Sequence, residues 1–255
     1  MIDIHCHILP GIDDGPAEID ESVEMCRMAA SDGVTVIVAT PHFTPGQYMA
    51  GSARVYEEAS RLSAALRRLD IPIKIFTGAD VAISPEVPVQ LRSVGHLTIN
   101  GAGRYFLAEF PHTHVPPNWD GFLLSIAASG ITPVITHPER NLWFMNHPEA
   151  LYPVVAKGVL VQITAMSLTG EFGEQAQEVS LYLLRHNLAH VIATDAHSAT
   201  YRPPILSEAA DMVADLFGRD KADRLVRTAP AAIVEGRPVS FEEPIVPSGS
   251  KAGLF

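Results

Sequence analysis

Cysteine and lysine are both scarce in this 255-residue chain. Cys6 and Cys26 are its only two cysteines, too few for a disulfide framework. Neither suits a cysteine phosphatase, whose thiolate precedes an arginine by six positions: Ile12 and Asp32 stand there instead. There is no Gly-x-Ser-x-Gly elbow of a serine hydrolase. Gly101-Ala102-Gly103 lacks the rest of a dinucleotide fingerprint. No apolar run reaches membrane-spanning length, since the most apolar stretch, Phe122 to Ile135, is broken by Ser125, Ser129, Gly130, Thr132 and Pro133. The opening MIDIHCHILP has neither a basic nor an apolar leader region, so no signal peptide is expected and a cytoplasmic protein is the default. Lysine occurs four times against fourteen arginines, so an anion site would be built from arginine. The net charge of −11 disfavours a nucleic-acid coat or a polybasic membrane clamp.

What is present is the composition of a folded α/β protein, 47% hydrophobic. Apolar runs at Ile2–His7, Thr35–Thr40, Ile73–Ala79, Tyr105–Phe110, Pro133–Thr136, Val159–Thr164 and His190–Thr194 read as strands buried on both faces. Helical patterns separate them at about 17–31, 54–69, 119–129, 147–157, 173–187 and 206–217. Ile19, Val23 and Cys26 share one stripe, and so do Val55, Leu62, Leu66 and Leu69. Strands alternating with helices imply a parallel sheet with crossover helices. No internal repeat and no linker divides residues 1–235. Residues 236–255, rich in Pro, Ser and Gly, read as a C-terminal tail.

The chemistry gathers at strand ends. His5 and His7 stand two apart, so both side chains face the same way. His42 follows the second strand, Asp80 the third, Glu109 the fourth and His137 the fifth. Asp195 and His197, again two apart, end the seventh, and Asp13 and Asp14 lie in the loop after the first. In a parallel barrel every strand delivers its C-terminal end to one face. The ligands converging there are too many for one metal and fit two or three divalent ions, with Mn, Fe and Zn all chemically admissible. Buried ionisable groups are costly unless paired or metal-bound, so a set in this register is poorly explained as core packing. Arg140 and Arg202 follow His137 and His197 closely and present the planar fork that suits a phosphate. Cys6 points to the opposite face and reads as packing. His96, His112, His114, His147, His186 and His190 lack the strand-end logic and read as surface or capping residues, with His112 and His114 near the mouth.

The segments DIHCHILPGIDDGP, ATPHF, TGADVAISPEV, LAEF, ITPVITHPER and VIATDAHSATYRPP resemble, in order, the motifs of the polymerase-and-histidinol-phosphatase (PHP) superfamily. They are most similar to its metal-dependent bacterial protein-tyrosine phosphatases of capsule and exopolysaccharide clusters. The likeness runs from residue 1 to about 235. It implies a single-domain, distorted TIM-like (β/α)7 barrel with a trinuclear centre, commonly manganese. His5, His7, Asp80 and Asp195 would hold the first ion. Asp80, Glu109 and His137 would hold the second, and Asp14, His42 and His197 the third. Arg140 and Arg202 would bind the substrate phosphate. The chain departs from the family at Asp80, where Glu, one methylene longer, is usual.

The implied reaction is hydrolysis of protein phosphotyrosine by a metal-activated hydroxide, without a phosphoenzyme. The implied partner is the phosphotyrosine tail of a membrane-bound kinase that controls polysaccharide export. The alternative is a small-molecule phosphatase of the same fold, such as one acting on histidinol phosphate. A proofreading exonuclease is disfavoured by the acidic charge, and a catalytically dead binding module by the nearly complete ligand set.

Overall fold

A computed structural model of the protein describes residues 1–247, and the end of the expected tail, 248–255, lies outside the described residues. The described residues form nine strands: β1 (Ile2–Cys6), β2 (Val36–Ala39), β3 (His42–Phe43), β4 (Lys74–Thr77), β5 (Asp80–Ala82), β6 (Tyr105–Glu109), β7 (Thr132–Thr136), β8 (Leu160–Thr164) and β9 (Val191–Ala193). All neighbouring pairs are parallel. The seven expected runs all appear, and the two additional strands are continuations of two of them. β2 breaks at Pro41, which has no N–H for the ladder, and resumes as β3. β4 breaks at Gly78 and resumes as β5. Backbone bonds bridge the breaks, from Gly78 N–H to Ala39 O (2.8 Å) and from Asp80 N–H to Pro41 O (3.1 Å).

The ladder order β1-β2-β4 and β3-β5-β6-β7-β8-β9 therefore describes one wall. It closes where Asp195 N–H donates to His5 O and His7 N–H to Ala196 O, both at 2.8 Å. The result is a seven-stranded barrel in chain order. At the C-terminal end of the strands the two broken strands carry His42 and Asp80 onto the rim.

The barrel interior holds Ile4, Val38, Leu107, Val134, Leu160 and Val191, one from each of six strands. The helix Ala229–Val234 closes the opposite end, adding Ala229, Ile233 and Val234 to the same cluster. This helix escaped the sequence reading, as did Val87–Ser93, Leu142–Asn146, Ala165–Thr169 and Arg219–Asp223. The larger core lies between the barrel and its outer helices. Ile19–Ser31 buries Val23 and Cys26 there, and Ser52–Arg68 buries Val55, Leu62 and Leu66. Leu69, expected on the same stripe, caps its helix and stays half-exposed.

The register of β1 against β2 shifts between Asp3 and Cys6. Ile4 therefore joins the interior, while Cys6 packs into the outer core. Part of the tail is described: Ile245 N–H donates to His186 O (2.8 Å) and Glu242 pairs with Arg224 (2.6 Å). Two histidines read as surface or capping residues are buried instead. His96 Nδ1 meets Ser52 Oγ at 2.9 Å, and His190 Nδ1 accepts Val161 N–H at 3.1 Å. No described helix is long and apolar enough to cross a membrane.

Candidate metal centre

The barrel brings all nine expected metal-ligating residues to one mouth. His5 Nε2 lies 3.2 Å from His7 Nε2, 3.4 Å from Asp80 Oδ2 and 3.3 Å from Asp195 Oδ1. His42 Nδ1 lies 3.3 Å from Glu109 Oε2 and 3.7 Å from Asp80 Oδ2. His137 Nε2 is 3.8 Å from the same Asp80 oxygen. Asp14 Oδ1 is 3.4 Å from His197 Nε2 and 3.6 Å from His42 Nε2. Four overlapping groups have ligand atoms within 4.8 Å of one another: His7-Asp14-His42-His197, His5-His7-Asp80, His5-His137-Asp195 and His42-Asp80-Glu109. The third expected set recurs with His7 added. Glu109 groups with His42 rather than His137, and His137 with Asp195.

Backbone geometry aims two of these side chains. His137 (φ +33°) and Asp195 (φ +51°) both adopt the left-handed region that non-glycine residues avoid. Both sit where a strand turns over the rim. After His137 the chain runs through Pro138–Arg140 to Asn141. The Asn141 side chain caps the next helix by accepting from Trp143 N–H (2.9 Å) and Phe144 N–H (3.0 Å). Its Nδ2 donates to Pro111 O (2.6 Å), fastening the Arg140 turn to the neighbouring loop.

The donor set fits divalent cations. Asp80 Oδ2 and His42 Nδ1 are buried with no hydrogen-bond partner among the described residues. Such orphaned atoms are costly unless something else meets them. His7 Nδ1 faces Asp13 Oδ2 at 2.7 Å, and His5 Nδ1 faces Gln162 Oε1 at 2.8 Å. With those nitrogens donating, each Nε2 turns a lone pair towards the centre, the arrangement that orients metal-ligating imidazoles. Burial opposes charge on Asp195, but His5, the bond from His7 and the two arginines hold its carboxyl well below the usual range. Burial opposes charge on His5 and His7 too, yet facing carboxylates raise both: Asp80 and Asp195 for His5, Asp13 and Asp195 for His7. Asp13, Asp14, Asp80, Glu109 and Asp195 outnumber Arg140 and Arg202, so the mouth favours cations.

Arg140 and Arg202 both donate to Asp195 Oδ2. Phe172 lies under them, its ring 4.4 Å from the Arg140 guanidinium and 5.8 Å from that of Arg202. On the Asp14, His42 and Glu109 side of the ligand groups opens a cleft of about 400 Å³, lined also by Tyr48, Ile83, Pro111 and His112, among others. The Tyr48 ring stacks on His42, with centroids 5.7 Å apart. His112 thus stands at the mouth, while His114, His147 and His186 stay outside every ligand group.

Sequence reasoning left Gln162 and Phe172 unremarked, and placed Asp13 in the loop without a role. Asp13 adjoins Asp14 in the sequence, and that adjacency was its signal. Gln162, inside an apolar strand, and Phe172, in a loop, carry none.

Fold and mouth together define a PHP-type, TIM-like barrel. The chain belongs to the CpsB/CapC capsular polysaccharide synthesis family, whose pattern it matches over residues 1–235. It is 40% identical over 229 residues to tyrosine-protein phosphatase YwqE of Bacillus subtilis (strain 168), covering 90% of each chain. It is 30% identical over 240 residues to tyrosine-protein phosphatase CpsB of Streptococcus pneumoniae, covering 92% of this chain and 98% of that one. A crystal structure from work on those two proteins, described as unique metal-dependent tyrosine phosphatases, superposes with a TM-score of 0.91. The match has 37% identity and covers 96% and 98% of the two chains. A β-aspartyl dipeptidase of Fervidobacterium islandicum shares the fold alone, at a TM-score of 0.58 and 15% identity over 96% of this chain and 78% of that one.

Proposed function

We propose that this protein is a metal-dependent protein-tyrosine phosphatase of capsule or exopolysaccharide synthesis, acting in the cytoplasm on the phosphotyrosine tail of a membrane-bound tyrosine kinase. The observation that carries the reading is two guanidiniums sharing one carboxylate oxygen beside nine convergent imidazole and carboxylate ligands. The relatives' activity supports it. His5, His7, Asp14, His42, Asp80, Glu109, His137, Asp195 and His197 would hold two or three divalent ions, manganese first among the candidates. Ions held there supply Lewis-acid activation of water and of the phosphoryl group.

The chain's own groups do the rest. Arg140 and Arg202 turn their forks from Asp195 to the phosphoryl oxygens and neutralise charge that grows in the transition state. Phe172 keeps the two guanidiniums beside one another. The cleft between Tyr48 and Ile83 takes the phenyl ring and excludes water from one side of the ester. A phenolate is a better leaving group than an alkoxide, so the site works without a dedicated general acid.

The test is phosphate release from a phosphotyrosine peptide by protein stripped with chelator and resupplied with Mn, Fe, Zn or Mg. Activity restored by metal and unaffected by vanadate doses that block cysteine phosphatases is the expected result. Silence on the peptide, with turnover of small phosphate esters under the same metals, would make the protein a metabolic phosphatase.

A further inference from the structure

A second cavity adjoins the cleft, and none of the candidate ligands lines it. Its volume is about 220 Å³, and its walls are Ile83, Pro85, Pro116, Pro117, Trp119 and Phe122. We infer that it receives a large apolar side chain of the substrate peptide, flanking the phosphotyrosine within about five residues. The inference rests on the phosphotyrosine reading above.

Continuity with the catalytic cleft argues for a substrate segment as the occupant. Ile83 lines both cavities. One wall runs unbroken along the chain from Asp80 through Ala82 and Ile83 to Pro85. The other runs from Glu109 through Phe110 and Pro111 to Pro116, Pro117 and Trp119. Ile83 N–H donates to Glu109 O at 2.9 Å, tying the two walls together at the rim of the ligand cluster. Phe110 lines the cleft and meets Trp119 of the second cavity edge-on, with centroids 5.7 Å apart. From Asp80 to Pro85 the chain spans at most about 17 Å. An extended peptide anchored by its phosphotyrosine covers that distance in about five residues.

The cavity is built to stay open. Three prolines fix its walls by their locked φ. Trp119 is held edge-on by Phe144 at 5.1 Å and by Trp143 at 6.4 Å. A preformed apolar pocket loses little on ordering, so the gain from burial passes into affinity. No charged residue lines it. Ser84 Oγ, also in the lining, is buried without a hydrogen-bond partner among the described residues, and is placed to meet a peptide backbone group.

The experiment uses metal-loaded protein and phosphotyrosine peptides with glycine at every flanking position except one. That position carries leucine and is moved in turn from five residues before the phosphotyrosine to five after it. Leucine at one or two adjacent positions is expected to raise kcat/KM by about tenfold over the all-glycine peptide. Pro117→Glu, which sets a charge on the exposed rim, should bring that ratio down towards one. Uniform rates along the series would overturn the pocket and leave the phosphatase reading intact. A leucine preference that survives in Pro117→Glu would overturn the assignment to this cavity. If neither the peptides nor free phosphotyrosine is hydrolysed while other phosphomonoesters are, both readings fall together.

Discussion

Asp195 receives both arginines on one oxygen, Oδ2, and turns the other, Oδ1, to His5 and His7. Under the proposed function it couples phosphate recognition to the ligand cluster. Arg140→Ala and Arg202→Ala should each lower kcat/KM on a phosphotyrosine peptide by about 10²–10³, as the loss of one preorganised transition-state donor does. Under the proposed function the arginines act as a unit on one phosphoryl group, so the double variant should lose much less than the product of the single losses. Full additivity across the four enzymes would mean that they serve separate purposes. Asp13 works one step further out. Its carboxylate meets His7 Nδ1 and accepts His42 N–H at 2.9 Å and Gly15 N–H at 3.1 Å. Asp13→Asn keeps the shape and weakens the hold on His7. Divalent-ion affinity, titrated against a competing chelator, should fall about 10–100-fold, as it does when such supporting groups are removed. An unchanged titration would deny Asp13 that role.

At the scale of elements, the site depends on how each strand leaves the barrel. Gly15 shows how little room the first loop has: a Cβ there would stand 2.4 Å from the His7 carbonyl oxygen. Gly15→Ala must push the loop off β1, and the loop carries Asp13 and Asp14. The variant should lose about 1–3 kcal/mol in denaturant unfolding, the usual cost of overpacking, and bind less metal. Gly51→Ala, whose Cβ meets nothing within 4 Å but which caps the helix Ser52–Arg68, is the control and should lose no more than about 1 kcal/mol, with metal binding unchanged. Equal effects in the two variants would show that contact with His7 is not the cause. The strands themselves were legible because their apolar runs are nearly continuous. β3 and β5 were not, because Pro41 and Gly78 interrupt those runs and pairing across the gaps is a tertiary fact. The convergence of the candidate ligands was legible because alternation and strand-end placement are local. Their grouping was not, since whether Glu109 faces His42 or His137 depends on the relative tilt of neighbouring strands. Gln162 acts only through a bond to His5, 157 residues away, and no spacing rule connects the two.

Across the whole molecule, the sealed end of the barrel carries a pH dependence separate from the mouth. His190 is buried beside β8, where its Nδ1 accepts Val161 N–H, and Phe241 from the C-terminal segment covers its ring edge-on at 4.8 Å. Burial pushes its pKa down to about 3. The unfolded chain, with a histidine near its ordinary 6.5, therefore binds more protons between pH 3 and 6.5 than the folded protein does. The stability that neutral His190 allows is complete above pH 6.5 and is lost as pH falls through that window. Asp3 acts in the opposite sense. Burial raises it to about 6 despite its bonds to Thr194 and His5, so the folded state holds an extra proton between pH 3.8 and 6 and gains stability as pH falls. The two effects offset each other in the wild type, so its pH profile alone does not isolate His190. His190→Gln removes the titration and keeps an acceptor for Val161 N–H. The stability of wild type relative to this variant should fall by about 1.6 kcal/mol between pH 6.5 and 5, since the unfolded histidine is half protonated at the upper limit and almost fully so at the lower. Denaturant titrations of both proteins at several pH values, in chelator so that metal ligands contribute equally, measure that difference. Parallel curves would mean that His190 takes up its proton in the folded protein as readily as in the unfolded chain, and that the Phe241 cover does not seal it from water.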